Sequence, residues 1–278
     1  MSWRKYLLVP GLALTAPRRT PPAQAAWETY WSAVGRTGPE GDVLWDGAGA
    51  DELAWWERTA REHLDPALPV VDVGCGNGRL TRLLAPVFPA AVGVDVSAAA
   101  LEVAGRESQG VAGVSFRQLD VTAPGAGDLL ARELGPVNVV VRGVLHVLGA
   151  DERRRAAAEL ARALAGCGTL LLLETNWRGD LLGYLEHLGG RRGRLPAPLR
   201  RLIRFGLPRP AAFGPAELAA TFRAGAWETV VSGPVDIAPV RTLGAAAGRS
   251  IPGFGAVLRT PPAAAPPAPG EDAAEQGM

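Results

Sequence analysis

Three glycines alternate in Gly74-Cys75-Gly76-Asn77-Gly78, directly after the short run Val70-Val71-Asp72-Val73. Alternating glycines permit positive φ and let a ligand approach the backbone where no Cβ stands in the way. The spacing of Leu80, Leu83, Leu84 and Val87 predicts a helix that begins near Gly78. Strand, glycine turn and helix in that order form a nucleotide cradle, with backbone N–H groups expected to point at the ligand. A carboxylate follows at a fitting distance. Asp95 lies 21 residues beyond Gly74, in a second predicted strand over Ala91 to Val96, where it can accept both hydroxyls of a ribose. A third predicted strand, Val114 to Leu119, also runs into an acid, Asp120.

The dinucleotide fingerprint wants glycines at its first, third and sixth positions, and the sixth position here is Arg79. The pattern is G-x-G-x-G instead, with Asp72 two residues before its first glycine. It resembles motif I of class I S-adenosylmethionine-dependent methyltransferases, and the resemblance extends over roughly Leu68 to Glu174. It implies S-adenosyl-L-methionine as the cofactor. It also implies a doubly wound α/β fold, with a seven-stranded and mainly parallel sheet, an N-terminal helical cover and an inserted cap. By the same resemblance, Asp72, Gly74, Gly76, Asn77 and Gly78 hold the methionine and ribose side, and Asp95 with Val96 holds the ribose. Asp120 then accepts from the adenine amino group, while the N–H of Val121 reads a ring nitrogen. A fourth strand is predicted over Val137 to Arg142, with Asn138 where many relatives carry Asp. Arg142, at its end, can pair with the cofactor carboxylate or an acidic substrate, or can bridge loops.

Methyl transfer from a sulfonium is an in-line displacement with a good leaving group, so proximity and alignment supply most of the catalysis. A base is needed only when the acceptor is protonated near neutrality. His146, one of three histidines and just past the fourth strand, is the first candidate for that base, with a packed structural histidine as the other reading. Tyr184, Glu174 and His187 are weaker candidates. The chain lacks the Asn-Pro-Pro-Tyr segment of amino-directed nucleic-acid enzymes, and neither Cys75 nor Cys167 follows a proline. Arg142 stands where the metal-dependent catechol type would carry a carboxylate, so no metal is implied. These features leave a small-molecule acceptor as the expected partner. Two alternatives remain open: a catalytically inactive cofactor-binding protein of the same fold, and an NAD-dependent oxidoreductase.

The elements that must position these residues are legible at low resolution. The 278 residues suit one large domain with appendages, and a net charge of +1 gives no global field for nucleic acid or anionic membranes. Two isolated cysteines give neither a disulfide framework nor a zinc motif. Residues 1–21 are expected to be flexible. They imitate a signal peptide, but Pro10 and Gly11 break the apolar run and Arg18 and Arg19 follow it, so a cytoplasmic protein is expected. Residues 22–66 form the helical cover, with one helix over Pro22 to Val34 and another from an Asp51 cap to His63. Trp45 and Asp46 fall in the loop between them.

The cofactor-binding domain is expected over residues 67–259, with a cap inserted at about 176–210 and a disordered tail at 260–278. Ser97 is predicted to cap a helix over Ala98 to Arg106, and Asp151 another. Strands are also predicted over Gly168 to Glu174, Trp227 to Ser232 and Ile251 to Arg259, and a helix over Pro215 to Arg223. Seven arginines lie between Glu186 and Glu217 with no acid among them. They form either a patch for an acidic acceptor, a phosphate or a membrane surface, or a solvated face with Leu195, Leu199, Leu202 and Ile203 turned inward. Apart from this cap, 191–209, there is no nucleic-acid or membrane signal.

Overall fold

The computed structural model describes residues 3–47, 49–191, 193–240 and 250–262. A 3-10 turn, Trp3–Leu8, leads into α1 (Val9–Thr15), α2 (Ala23–Ser32) and α3 (Ala50–His63). Then come β1 (Val70–Val73), α4 (Arg79–Leu84), β2 (Ala91–Asp95), α5 (Ala98–Glu107), β3 (Val114–Gln118), α6 (Ala126–Leu134) and β4 (Asn138–Arg142). A 3-10 turn, Leu145–Val147, separates β4 from α7 (Ala150–Leu164) and β5 (Thr169–Thr175). The chain continues through α8 (Leu181–His187), α9 (Ala197–Arg204), α10 (Pro215–Thr221), β6 (Glu228–Ile237) and β7 (Ile251–Arg259).

The strands form one seven-stranded sheet in the order β3-β2-β1-β4-β5-β7-β6. β1 pairs in parallel with β2 on one side and β4 on the other, Val71 lying between Val92 and Val139. Only β7 runs antiparallel, filling the place between β5 and β6. The central strands are apolar on both faces, as strands covered on both sides must be: β1 and the interior of β4 and β5 are fully buried. Side-chain alternation sorts them between two cores. Val71, Val139 and Leu170 pack under α6, α7 and α10, whereas Val70, Val140 and Leu171 pack under α3, α4 and α8. A third cluster, built on Tyr30 and Trp31, seats α2 against Ala100 of α5.

The sheet is the doubly wound, mainly parallel one that the resemblance implies. Four local expectations are corrected. The start of the chain is helical from Trp3, because Leu8 and Leu12 pack into the core under α8 and α9 and Lys5 pairs with Asp180. Asp51 is not the cap of α3; Gly49 holds that position and Asp51 lies in the first turn. The cap of α7 is Gly149 rather than Asp151, and Glu152 accepts its N–H at 2.7 Å. β6 runs on to Ile237, pairing with β7 along its whole length past a bulge at Thr229 and Val231. Ser97 caps α5 as expected, accepting from the Ala100 N–H at 3.1 Å. The tail expected at 260–278 lies outside the described residues from 263 onward.

Candidate active site

β1 neighbours both β2 and β4, so the strand order reverses there and a crevice opens at the carboxyl ends of the strands. Gly74 and Gly76 line it with φ of +71° and +54°, whereas Gly78, with φ of +72°, is not among the lining residues and packs towards Phe116, which a Cβ there would meet at 2.6 Å. Their small size is required as well as their conformation. A Cβ on Gly74 would stand 2.3 Å from Val144, and one on Gly76 would stand 2.7 Å from the indole of Trp31. The expectation that the loop's N–H groups point at a ligand is corrected. Gly74 and Cys75 donate to the Val94 carbonyl, Gly76 to the Asp95 carboxylate and Gly78 to the Cys75 carbonyl. The loop offers a ligand close approach to its backbone rather than a row of free donors.

Asp95 sits at the end of β2, buried, with one oxygen accepting from Gly76 at 3.0 Å and the other from Ser97 at 2.9 Å. A carboxylate has about four acceptor sites, so each oxygen keeps capacity for a hydroxyl donor. Burial raises the Asp95 pKa against the pull of those N–H groups. Asp120 follows β3 and is exposed. Its Oδ1 accepts from the N–H and hydroxyl of Thr122, and its Oδ2 has no partner among the described residues. Val96 and Val121 line the same cavity. Asp72 also lines it, at its floor: the carboxylate is buried and accepts from the Thr81 hydroxyl at 2.6 Å. Burial pushes its pKa up to about 6, opposed by the Thr81 bonds.

Arg142 extends from β4 to the N-terminal cover. Its Nε donates to Glu52 at 2.6 Å and its Nη2 to the Trp45 carbonyl at 2.8 Å. A second link ties the cover to the glycine turn: Asp46 accepts from Arg79 at 3.1 Å and from the amide of Asn77 at 2.9 Å. Arg142 and Asn77 therefore line the cavity while also bracing its lid. Glu52 and Arg79 are site residues the sequence did not mark, since their partners lie 90 and 33 positions away.

His146, expected as a general base, is not among the residues that line the cavity. Its Nδ1 lies 2.6 Å from Glu174, and a Cβ on Gly143, which lines the cavity, would stand 3.6 Å from its Cε1. Glu174 is fully buried at the end of β5 and accepts from the N–H groups of Val144, Leu145 and His146 at 3.1, 2.9 and 3.1 Å. Together they fix the turn after β4. Tyr184 and His187 are also away from the cavity, beside Trp177, and His187 bonds the Ser250 carbonyl at 2.8 Å.

The cavity has a volume of about 530 Å³. One wall is the strand ends and glycine turn. The other is the cover, with Trp27, Trp31, Trp45, Leu53 and Trp56, closed by Val147, Leu148 and Glu152 before and within α7. Trp45 stacks on Tyr30 with ring centroids 5.8 Å apart and meets Trp27 edge-on at 5.8 Å. Among the described residues no group of three His, Cys, Asp or Glu side chains is placed to hold a metal ion. Of the arginine-rich cap, Leu195 and Leu199 are buried, Leu202 and Ile203 pack behind them, and Arg201 pairs with Asp42 at 3.3 Å.

Residues 70–168 match the family described as a methyltransferase domain. No curated protein matches the chain. A solved S-adenosylmethionine-dependent methyltransferase from Anabaena variabilis is 26% identical, with a TM-score of 0.75 over 88% of this chain and 98% of that one. The N-methyltransferase NodS from Bradyrhizobium japonicum, solved with S-adenosylhomocysteine, is 15% identical, with a TM-score of 0.53 over 86% of this chain and 100% of that one. The [4+2]-cyclase SpnF shares the fold at 20% identity, with a TM-score of 0.54 over 89% of this chain and 99% of that one. None of these matches supports the nicotinamide alternative. Residues 70–168 thus carry a methyltransferase domain, and the glycine turn, the acids at the ends of β2 and after β3 and the sheet order are consistent with a class I S-adenosylmethionine-dependent methyltransferase, with S-adenosylmethionine as the cofactor.

Proposed function

We propose that the protein methylates a small molecule with an apolar face, held against the tryptophans of the cover while the cofactor lies across the strand ends. The observation that carries this reading is the shared cavity. Its sheet wall presents acceptor groups and close backbone approach, and its cover wall presents indole rings. Pockets of this size and mixed lining suit small ligands. Asp95 receives the ribose hydroxyls, Asp120 and the Val121 N–H read the adenine, and Gly74 to Gly78 let the backbone approach. Asp72 lies beneath, and Asn77 and Arg142 border the methionine end.

When bound, the cofactor supplies an activated methyl group on a sulfonium for direct in-line transfer. The protein's own contribution is alignment and the exclusion of water. Trp31 is packed on Gly76, so an acceptor resting on the indoles is held beside the glycine turn. His146 serves as a positioning residue through Glu174 and the turn after β4. Glu152 is the lining carboxylate outside the cofactor end that carries no ion pair among the described residues, and it is assigned the proton of a protonated acceptor.

The reading is tested by following release of S-adenosylhomocysteine and transfer of a labelled methyl group to a panel of aromatic and aliphatic amines, phenols and thiols. Transfer to at least one apolar acceptor is expected. Glu152→Gln should lower turnover by about tenfold or more for protonated acceptors without changing cofactor affinity. Cofactor binding with no transfer across the panel, or transfer confined to protein or nucleic acid, would overturn it.

A further inference from the structure

Residues 5–15 are apolar on two faces. Leu8 is buried and Leu12 packs behind it, on the side that meets α8 and α9. The opposite side carries Val9, Pro10, Ala13 and Leu14, spaced three and four apart on one stripe of α1, with Tyr6 of the preceding 3-10 turn before them. All five are exposed; Tyr6 is 61% and Leu14 89% accessible, and Leu7 and Val9 beside them are nearly half so. A short helix that already spends one apolar face on the core does not need a second facing solvent. Such a stripe marks an interaction surface.

The charges around it indicate its partner. Residues 1–27 carry four basic and no acidic side chains, and residues 187–216 carry seven arginines and no acid, in a chain whose net charge is only +1. The fold puts these two stretches together. α1 packs on α9, and the connector from Pro17 to Pro21 lies against Gly206 at the end of α9. Arg18, Arg19, Arg200 and Arg204 are exposed and have no ion pair among the described residues. Nearby acids are Asp180, which is spent on Lys5, Asp42, which is paired with Arg201, and the half-buried Glu186.

We propose that this face docks the protein on an anionic lipid bilayer, the stripe entering the interface and the surrounding arginines meeting the headgroups. An apolar stripe rimmed by arginine is what such a surface recognises, since burial and charge attraction add. A nucleic acid would use the arginines but leave Leu14 and Val9 in water. The protein would lie on the bilayer rather than cross it, because no helix among the described residues is long and apolar enough to span one. Docking would also bring lipid to the edge of the cavity. Ala23 and Gln24, which follow the connector, and Pro208, which follows α9, line it.

The test is flotation of the full chain with vesicles of phosphatidylcholine alone and of equal parts phosphatidylcholine and phosphatidylglycerol, with a duplex RNA as competitor. No methyl acceptor or cofactor is needed, so the result is separate from the proposed reaction. Binding to the anionic vesicles is expected, at least about tenfold tighter than to the neutral ones. Val9→Glu with Leu14→Glu should abolish it, with thermal unfolding unchanged. Arg200→Gln and Arg204→Gln should each weaken it by about fivefold. The proposal is overturned by absence of binding, or by binding that the apolar substitutions leave intact. It is also overturned by full competition from RNA, or by a lowered thermal midpoint in the Val9 and Leu14 variant, which would show that the chain itself covers the stripe.

Discussion

At Asp72 the protein keeps a carboxylate out of solvent with a hydroxyl, that of Thr81, as its bonded partner. Its pKa stands at about 6, above the ordinary aspartate value of 3.8. The folded state therefore holds this proton more tightly than the unfolded chain. Its contribution to stability is complete below the unfolded value and is lost as pH rises through the folded one. Above that, the ionised group costs about 2–3 kcal/mol. Asp72→Asn removes the titration. In urea unfolding, the variant's stability relative to the parent should rise by about that amount between about pH 4 and about pH 7. A difference that stays constant over this window would refute the assignment. That Asp72, Gly74, Gly76 and Asp95 come to one cavity was legible in the sequence because each is defined by its immediate neighbours and its place at a strand end, whereas Gly78 turns towards Phe116 instead. Glu52 was not, because what makes it a site residue is Arg142, on a strand 90 positions away. The free N–H groups expected of the glycine turn were misjudged for a related reason. Their acceptors, Val94 and Asp95, belong to the neighbouring strand.

The turn after β4 shows how an element can depend on one side chain. Gly143 still donates to the Leu173 carbonyl of β5 at 3.0 Å, and after it the chain leaves the sheet. Glu174 instead gathers three successive backbone N–H groups and the His146 ring. Glu174→Gln replaces one acceptor oxygen by an NH2 facing donors. It should cost about 1–3 kcal/mol in denaturant unfolding, more than His146→Ala, which leaves all three N–H groups bonded. Equal losses would mean that the imidazole, not the backbone, is what Glu174 serves. The sequence suggested His146 through its rarity and its position after β4, but nothing local announced a buried acid 28 residues on. The opposite misreading affected the start of the chain. Its prolines and arginines suggested flexibility, yet Pro10 is tolerated in a first helical turn, and Gly11 fits closely against the Gly193 carbonyl. α5, with Ser97 as its own cap, was read correctly because its signals are contained within it.

At the scale of the molecule, the cavity belongs to neither half alone. The sheet brings the glycine turn and the acids to one edge, and the cover brings the tryptophans. Arg142 with Glu52, and Arg79 and Asn77 with Asp46, hold the two together. The seven-stranded, mainly parallel sheet was expected from the resemblance, and its central strands could be placed because they read as short apolar runs separated by helical spacing. The closure of the cover over it was not, being decided by pairs far apart in the chain. The central claim is that this cavity takes S-adenosylmethionine through Asp95. Its most direct test is calorimetric titration of the purified protein with S-adenosylmethionine, S-adenosylhomocysteine and NAD, repeated on Asp95→Ala. Binding of the first two and not the third is expected, weakened by about 1.5–3 kcal/mol in the variant through loss of charge-assisted bonds to the ribose. Binding of NAD, or affinity for S-adenosylmethionine that Asp95→Ala leaves unchanged, would contradict it.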